Sequence, residues 1–288
     1  MASSVKLPYY ATDIPSPLPT DAEIESASLM FLPTRGKEIV EIGHHFVVKF
    51  GRAVNLIEGE NMLFVREMTN IPVPRVYALY SNPQNGKNYI IMERVVGETL
   101  LSLWPDLTTS EKESIVAKLH NYFSELRQLP SPGYYGSLGR RHLLDMIFWT
   151  IEAIPITNGP FTSEDALNEA MAQKSIFNDK PYRAEFYRQC LPRLFCGHNP
   201  TFTHGSCQPK NIMVQRDLEN AQSPNNSNFK VIITNWEESG WYPSYWEYGQ
   251  AFWALRGDDD WDLYLEKILD PCVLKAAWLL KLRLELAY

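Results

Sequence analysis

The sequence predicts an α+β protein with two lobes, a small β-rich N-terminal one and a larger helical C-terminal one. Alternating apolar patterns cluster in the first third, at 38–50, 76–80 and 88–93. Helical spacing dominates the remainder. Set among those helices are two short stretches, Thr203–Val214 and Val231–Glu237, in which strand-like apolar runs meet polar side chains. The expected domains are 1–93 (arm, sheet and one helix) and 94–288, helical and carrying both stretches. There are no internal repeats.

The proline-rich residues 7–20 read as an extended arm. Thr20-Asp21-Ala22-Glu23 fits a capping box and opens a short helix. Glu38–Gly43 alternates, turns at Gly43-His44 and resumes as Phe46–Phe50, a β-hairpin with His44 and His45 facing solvent. Leu56, Met62, Leu63, Phe64 and Val65 give a helix over 56–68, with Glu58 and Glu60 in its first turns. Ile71-Pro72-Val73-Pro74 ends it. Val76–Tyr80 and Asn88–Glu93 are two more strands, divided by the turn-rich Ser81–Lys87. Thr108-Thr109-Ser110-Glu111 caps an amphipathic helix that turns Ile115, Leu119, Phe123 and Leu126 inward and stops before Pro130 and Pro132. Residues 140–196 read as several helices with a loop at Asn158-Gly159-Pro160-Phe161. The polar 215–229 divides the two short stretches, and the tail 247–288 is mainly helical.

Composition narrows the function. The chain has 288 residues and a net charge of -7, so it lacks the basic face that nucleic acid or an anionic membrane surface requires. Met1–Thr20 has no apolar core behind a basic start, and no apolar run is long enough to span a bilayer. A cytoplasmic protein is the expectation, with a small-molecule ligand and no assignable oligomeric state. Cys190, Cys196, Cys207 and Cys272 form no CxxC pair, which argues against zinc and for reduced, mostly buried thiols. Asn225-Asn226-Ser227 fits a glycosylation sequon, a chance match in a chain without a secretion signal.

The two stretches carry the chemistry. Transfer of a terminal phosphoryl group needs a lysine on the phosphates, oxygen ligands for the metal and a carboxylate to orient the acceptor hydroxyl. The chain order is a strand with Lys49, a helix with Glu58, His204-Gly205 followed by Asn211, then a strand ending near Asn235. That is the order such a site uses. Glu60 is the rival of Glu58 as partner of Lys49. Leu7-Pro8-Tyr9-Tyr10, Val47-Val48-Lys49-Phe50, Ile71-Pro72-Val73-Pro74-Arg75-Val76-Tyr77, Ile91-Met92-Glu93 with Gly97, Gly159-Pro160-Phe161 and Gly240–Tyr248 complete the pattern. Taken together, the chain resembles the aminoglycoside phosphotransferase and choline kinase group, and is most similar to its fungal small-molecule branch. The resemblance covers almost the whole chain and implies a protein-kinase-like fold. It implies that Lys49 touches nucleotide phosphates, that Glu58 holds it, and that the Met92–Glu93 backbone meets adenine. It further implies that His204 braces the catalytic loop, that Asn211 ligates metal, and that ATP is the cofactor.

Ser206 and Asn235 stand where that group has its catalytic and its metal-binding aspartate. A serine is no base at neutral pH, and general-base help is worth ~10²–10⁴-fold in rate. An asparagine offers magnesium one neutral oxygen, so magnesium binding is expected to be impaired and no residue is assigned as a metal ligand. Glu237, Glu238 and Asp217 are the neighbouring acids, with Glu237 turned away if strand alternation continues to it. Three readings stand. One is a degenerate phosphotransferase that binds a nucleotide or small molecule and transfers little or no phosphate. The second is a fold repurposed for cyclisation or isomerisation through Ser206, Cys207, Asn235 and Glu237. The third is a residual ATP-dependent small-molecule kinase. Cys207 and the aromatics Trp236, Trp241, Tyr242, Tyr245 and Trp246 are expected to be mainly core.

Overall fold

The structure, a computed structural model, describes residues 5–33, 36–217 and 228–287. Its small lobe is an antiparallel sheet. The strands are β1 (Tyr9–Tyr10), β2 (Glu38–Ile42), β3 (Phe46–Gly51), β4 (Val76–Asn82) and β5 (Lys87–Glu93), in the order β1-β4-β5-β3-β2. The proline-rich arm is therefore not free: Tyr9 pairs with Leu79 and Tyr10 with Ala78. Helix α1 (Asp21–Ser26) begins at the expected capping box. Glu23 N–H donates to the Thr20 hydroxyl at 3.3 Å, and the Glu23 carboxylate accepts from Thr20 N–H at 2.7 Å.

Helix α2 (Ile57–Met68) packs on β4. Gly59 makes the approach possible, because a Cβ there would stand 2.1 Å from Leu79 Cδ2. The hairpin of β2 and β3 matches the expected alternation, and His44 and His45 are exposed at its turn.

The larger lobe opens with β6 (Glu98–Thr99) and α3 (Leu100–Leu103), then α4 (Thr109–Arg127), whose Ile115, Leu119, Phe123 and Leu126 are buried as their spacing predicts. The expectation of helix from 140 fails for the first part of that segment. Residues 141–154 are turns and extended chain, and only α5 (Pro155–Asn158), α6 (Glu164–Phe177) and α7 (Pro181–Leu194) are helical. The buried Asn158 side chain explains this. It bonds Thr150 at 3.0 Å and the main chain of Phe148 and Ile154, an arrangement that competes with helix. Strand β7 (Pro200–Thr203) pairs with β10 (Gly240–Pro243), and β8 (Ile212–Asp217) pairs with β6 and β9 (Asn228–Ile233). Helices α8 (Trp246–Trp253), α9 (Leu265–Ile268) and α10 (Val273–Leu286) close the chain.

One apolar core runs from Val65 and Leu79 in the small lobe through Leu119, Phe202 and Ile233 to Tyr248 and Ile268. A second fills the space between α6, α7, α8 and α10, around Tyr187, Tyr245 and Trp246. All five aromatics expected in the core are buried. The thiols are less buried than expected: Cys207 is buried, Cys190 and Cys272 are half-buried, and Cys196 is exposed. The sequon Asn225-Asn226-Ser227, the middle of the polar 215–229 segment, the Asp217 side chain and the first four residues of the N-terminal stretch lie outside the described residues. Among the described residues no helix is long and apolar enough to cross a membrane.

Candidate active site

Lys49 lies mid-strand in β3, opposite Ile39 of β2 and Ile90 of β5. Its ammonium reaches Glu58 of α2 at 2.5 Å, with both side chains buried. Glu60 takes a different partner. Its carboxylate receives two bonds from the Arg141 guanidinium, at 2.9 and 2.8 Å. Asn61, the next residue, donates to the Trp236 carbonyl at 2.7 Å. Helix α2 is thus tied to Lys49 in its own lobe, to the 138–141 turn and to the segment after β9.

That segment corrects one expectation. Strand alternation does not reach Glu237, because β9 ends at Ile233 and Asn235 sits in the left-handed region at φ +63°. Asparagine tolerates that conformation better than most side chains. The bend turns Glu237 toward the small lobe. One carboxylate oxygen accepts from Lys37, and the other lies 3.3 Å from Lys49. Burial works against the ionised Glu237, but Lys49 and Lys37 outweigh it and hold the carboxyl below its usual range. Burial likewise disfavours charge on Lys49, and Glu58 and Glu237 together raise it above the usual lysine range.

Ser206 and Asn211 close the loop between β7 and β8. The Asn211 side-chain amide donates to the Ser206 hydroxyl at 2.8 Å and to its carbonyl at 2.9 Å. Gln208 donates to the same hydroxyl at 3.2 Å. The Asn211 carbonyl receives Thr234 through both its N–H and its hydroxyl, which joins the two stretches. His204 is fully buried against Trp236, ring centroids 4.5 Å apart. Its Nε2–H donates to the Thr234 carbonyl at 3.0 Å, so the ring is the neutral Nε2–H tautomer. Burial takes its pKa down to about 4. Glu247 sits beneath the loop and accepts from the N–H groups of His204 at 2.6 Å and Gly205 at 3.2 Å. Burial still pushes its carboxyl up to about 7. Burial also drives the Cys207 thiol well above its usual range, which disfavours the thiolate a nucleophile needs.

On the other side of the loop lies a polar group that the sequence did not single out. Asp145 is buried and accepts from Arg283 at 2.8 Å, from Trp246 at 3.2 Å and from Gln250. Glu238 faces this group, its Cβ 3.4 Å from where a side chain on Gly205 would begin. Its carboxylate takes no hydrogen bond among the described residues. Burial first, and the Asp145 charge second, push it up to about 7. At the strand that ends β5, Glu93 N–H donates to the Arg75 carbonyl at 2.7 Å, and the Glu93 carboxylate accepts from Arg75 N–H at 3.1 Å.

This architecture, a five-stranded antiparallel lobe with helices α1 and α2 beside a helical lobe that carries two loop-and-strand motifs, is that of a kinase-like phosphotransferase. Residues 41–222 match the profile of the Phosphotransferase enzyme family, and the chain belongs to that family. The match spans Lys49 through Asn211. Over 114 residues, 38% of this chain, it is 36% identical to a subtelomeric hrmA-associated cluster protein of Aspergillus fumigatus. The shared stretch is 21% of that relative's length. Among solved structures, aminoglycoside phosphotransferase APH(4)-Ia superposes with a TM-score of 0.51 at 13% identity, covering 90% of this chain and 82% of its own. The streptomycin-ATP complex of APH(2")-IIa gives 0.52 at 15% identity, covering 91% and 83%. These two share the fold.

Proposed function

We propose that this chain is a ligand-binding member of the phosphotransferase family whose cleft takes a nucleotide or related small molecule and transfers little or no phosphate. The observation that carries this reading is an assembled phosphate side facing a dismantled transfer side. The Lys49–Glu58 pair is formed and buried, while serine at 206 and asparagine at 235 stand where the resemblance implies the two carboxylates. In this reading Lys49 meets phosphate, Glu58 positions it, and the Met92–Glu93 backbone borders the base. The ATP held by the APH(2")-IIa neighbour supports the choice of nucleotide.

The residues present do not fit magnesium. Asn211 and Asn235 offer only neutral carboxamide oxygens, and the Glu237 carboxylate is taken by two lysines. A hard dication favours several charged oxygens, so no step is drawn through a metal. The Ser206 hydroxyl accepts from the carboxamides of Gln208 and Asn211, and among the described residues it donates to no proton acceptor.

Thermal shift with millimolar ATP, with and without magnesium, tests the reading. Stabilisation that is indifferent to magnesium is the expected result, and no stabilisation by ATP under either condition overturns it. A second reading, acid–base chemistry on a small molecule, is favoured by Glu238. Among the described residues its carboxyl, beside Gly205, takes no hydrogen bond, and burial pushes it up to about 7, the range a proton-transfer group needs. Incubation of candidate small molecules without ATP, followed by mass analysis, tests it. A rearranged product of unchanged mass supports this second reading; no product without ATP, together with a product heavier by one phosphate once ATP is added, rejects it.

A further inference from the structure

Lys37 lies just before β2, and the β2–β3 register explains where its side chain goes. Ile39 stands opposite Lys49, and Lys37 is two residues before Ile39 on the same strand path. Residues two apart share a face, so Lys37 and Lys49 project from the same side of the sheet as diagonal neighbours. Two ammonium groups so placed repel each other unless an anion lies between them. That anion is Glu237, which gives one carboxylate oxygen to each lysine. It arrives from the other lobe, 200 residues along the chain from Lys37.

Two oxygens of one anion shared between two ammonium donors is also how a phosphate group would sit there. The formal charges of Lys37, Lys49, Glu58 and Glu237 sum to zero. An incoming polyanion therefore meets no net positive charge unless Glu237 leaves. Glu237 has room to leave: its side chain is partly exposed, whereas Glu58 is enclosed. Lys37 too is partly exposed, so it can follow a ligand outward.

We propose that Lys37 and Lys49 form a two-cation seat for a phosphate-rich ligand, and that Glu237 is a built-in competitor which must swing away before the ligand binds. This rests on the proposed function in placing phosphate at Lys49. It adds Lys37 as a second phosphate-binding residue and Glu237 as the group that sets affinity. No bond is made or broken; the exchange is one anion for another. The consequence is a cleft that admits multiply charged phosphates in preference to singly charged anions, because only a ligand reaching both lysines replaces both contacts.

Calorimetric titration with inorganic tripolyphosphate, and separately with ATP, tests the proposal. It is run in EDTA at low ionic strength, where metal ligation by Glu237 plays no part and charge effects are least screened. Glu237→Gln keeps the shape and removes the charge. It is expected to tighten tripolyphosphate roughly tenfold or more, the size of one charge-assisted hydrogen bond. Adding Lys37→Met to Glu237→Gln is expected to reverse that gain. A folded Glu237→Gln protein that binds tripolyphosphate no better than wild type overturns the proposal, as does a double variant that keeps the gain. Lys37→Met alone changes only a partly exposed side chain, and it provides a folded comparison: unchanged tripolyphosphate affinity in it also counts against Lys37. The two readings separate cleanly. If ATP stabilises the wild type while Glu237→Gln gains nothing for tripolyphosphate, the seat is wrong and the nucleotide cleft stands. If Glu237→Gln binds tripolyphosphate tightly but ATP no better, the seat stands and the nucleotide is wrong.

Discussion

Asn211 donates its side-chain amide to both the hydroxyl and the carbonyl of Ser206, at 2.8 and 2.9 Å. The loop is thereby closed on itself by two neutral residues, at the place where the proposed reading puts the missing carboxylate. An aspartate at position 206 would accept the same amide, so the loop's shape does not depend on serine. This makes restoration a fair experiment.

Asn235→Asp is expected to make ATP stabilisation depend on magnesium, since the left-handed backbone at 235 suits aspartate as well. Adding Ser206→Asp is expected to raise any ATP-dependent phosphorylation of a supplied alcohol by ~10²-fold or more over the single variant. Product is followed by mass. Wild-type binding that already requires magnesium would show that the existing oxygens suffice.

Lys49→Met leaves Glu58 buried without its cation, and a stability loss of about 3 kcal/mol is expected. Glu58→Gln is expected to cost less, because Glu237 remains beside Lys49. Urea unfolding of the two variants measures both. Equal losses would mean that Glu237 contributes nothing to holding the lysine.

The two buried groups under the loop titrate in opposite senses. Between pH 4 and 6.5 the folded state binds fewer protons at His204 than the unfolded chain does, so that contribution grows as pH rises. Between pH 4.5 and 7 the folded state binds more protons at Glu247, so that contribution is lost as pH rises. Glu247→Gln removes the second effect alone. Relative to wild type, it is expected to gain about 3 kcal/mol from pH 4.5 to 7. Chemical denaturation at several pH values checks this, and a constant difference would mean that Glu247 is not held protonated.

Gly59→Ala sets two effects against each other. Alanine favours helix over glycine by about 1 kcal/mol, whereas overpacking a core costs about 1–3 kcal/mol. The added methyl would fall 2.1 Å from Leu79 Cδ2, so overpacking is expected to win and the melting temperature to fall. Leu79→Ala opens space for that methyl, so it should cost less in the Gly59→Ala variant than in the wild type. Melting temperatures of the two single variants and the double variant check this.

Much of the fold was legible because its signals are local. Capping boxes at Thr20 and Thr108, the alternation in 38–50 and the helical spacing from Ile115 to Leu126 each involve residues a few positions apart. The failures were also local in origin. In 141–154 apolar residues suggested helix, but the side chain of Asn158 claimed the main chain instead.

The sequence by itself determined which groups are present: lysine at 49, glutamate at 58, serine at 206 and asparagine at 235. Only the tertiary structure decided where the remaining acids point. Glu58 and Glu60 were rivals until Arg141, 81 residues away, claimed Glu60. Glu237 was expected to face away until the bend at Asn235 turned it between two lysines. The physical reason is that an ion pair is fixed by distance in space, and periodicity along the chain carries no information about which distant strand or turn supplies the partner.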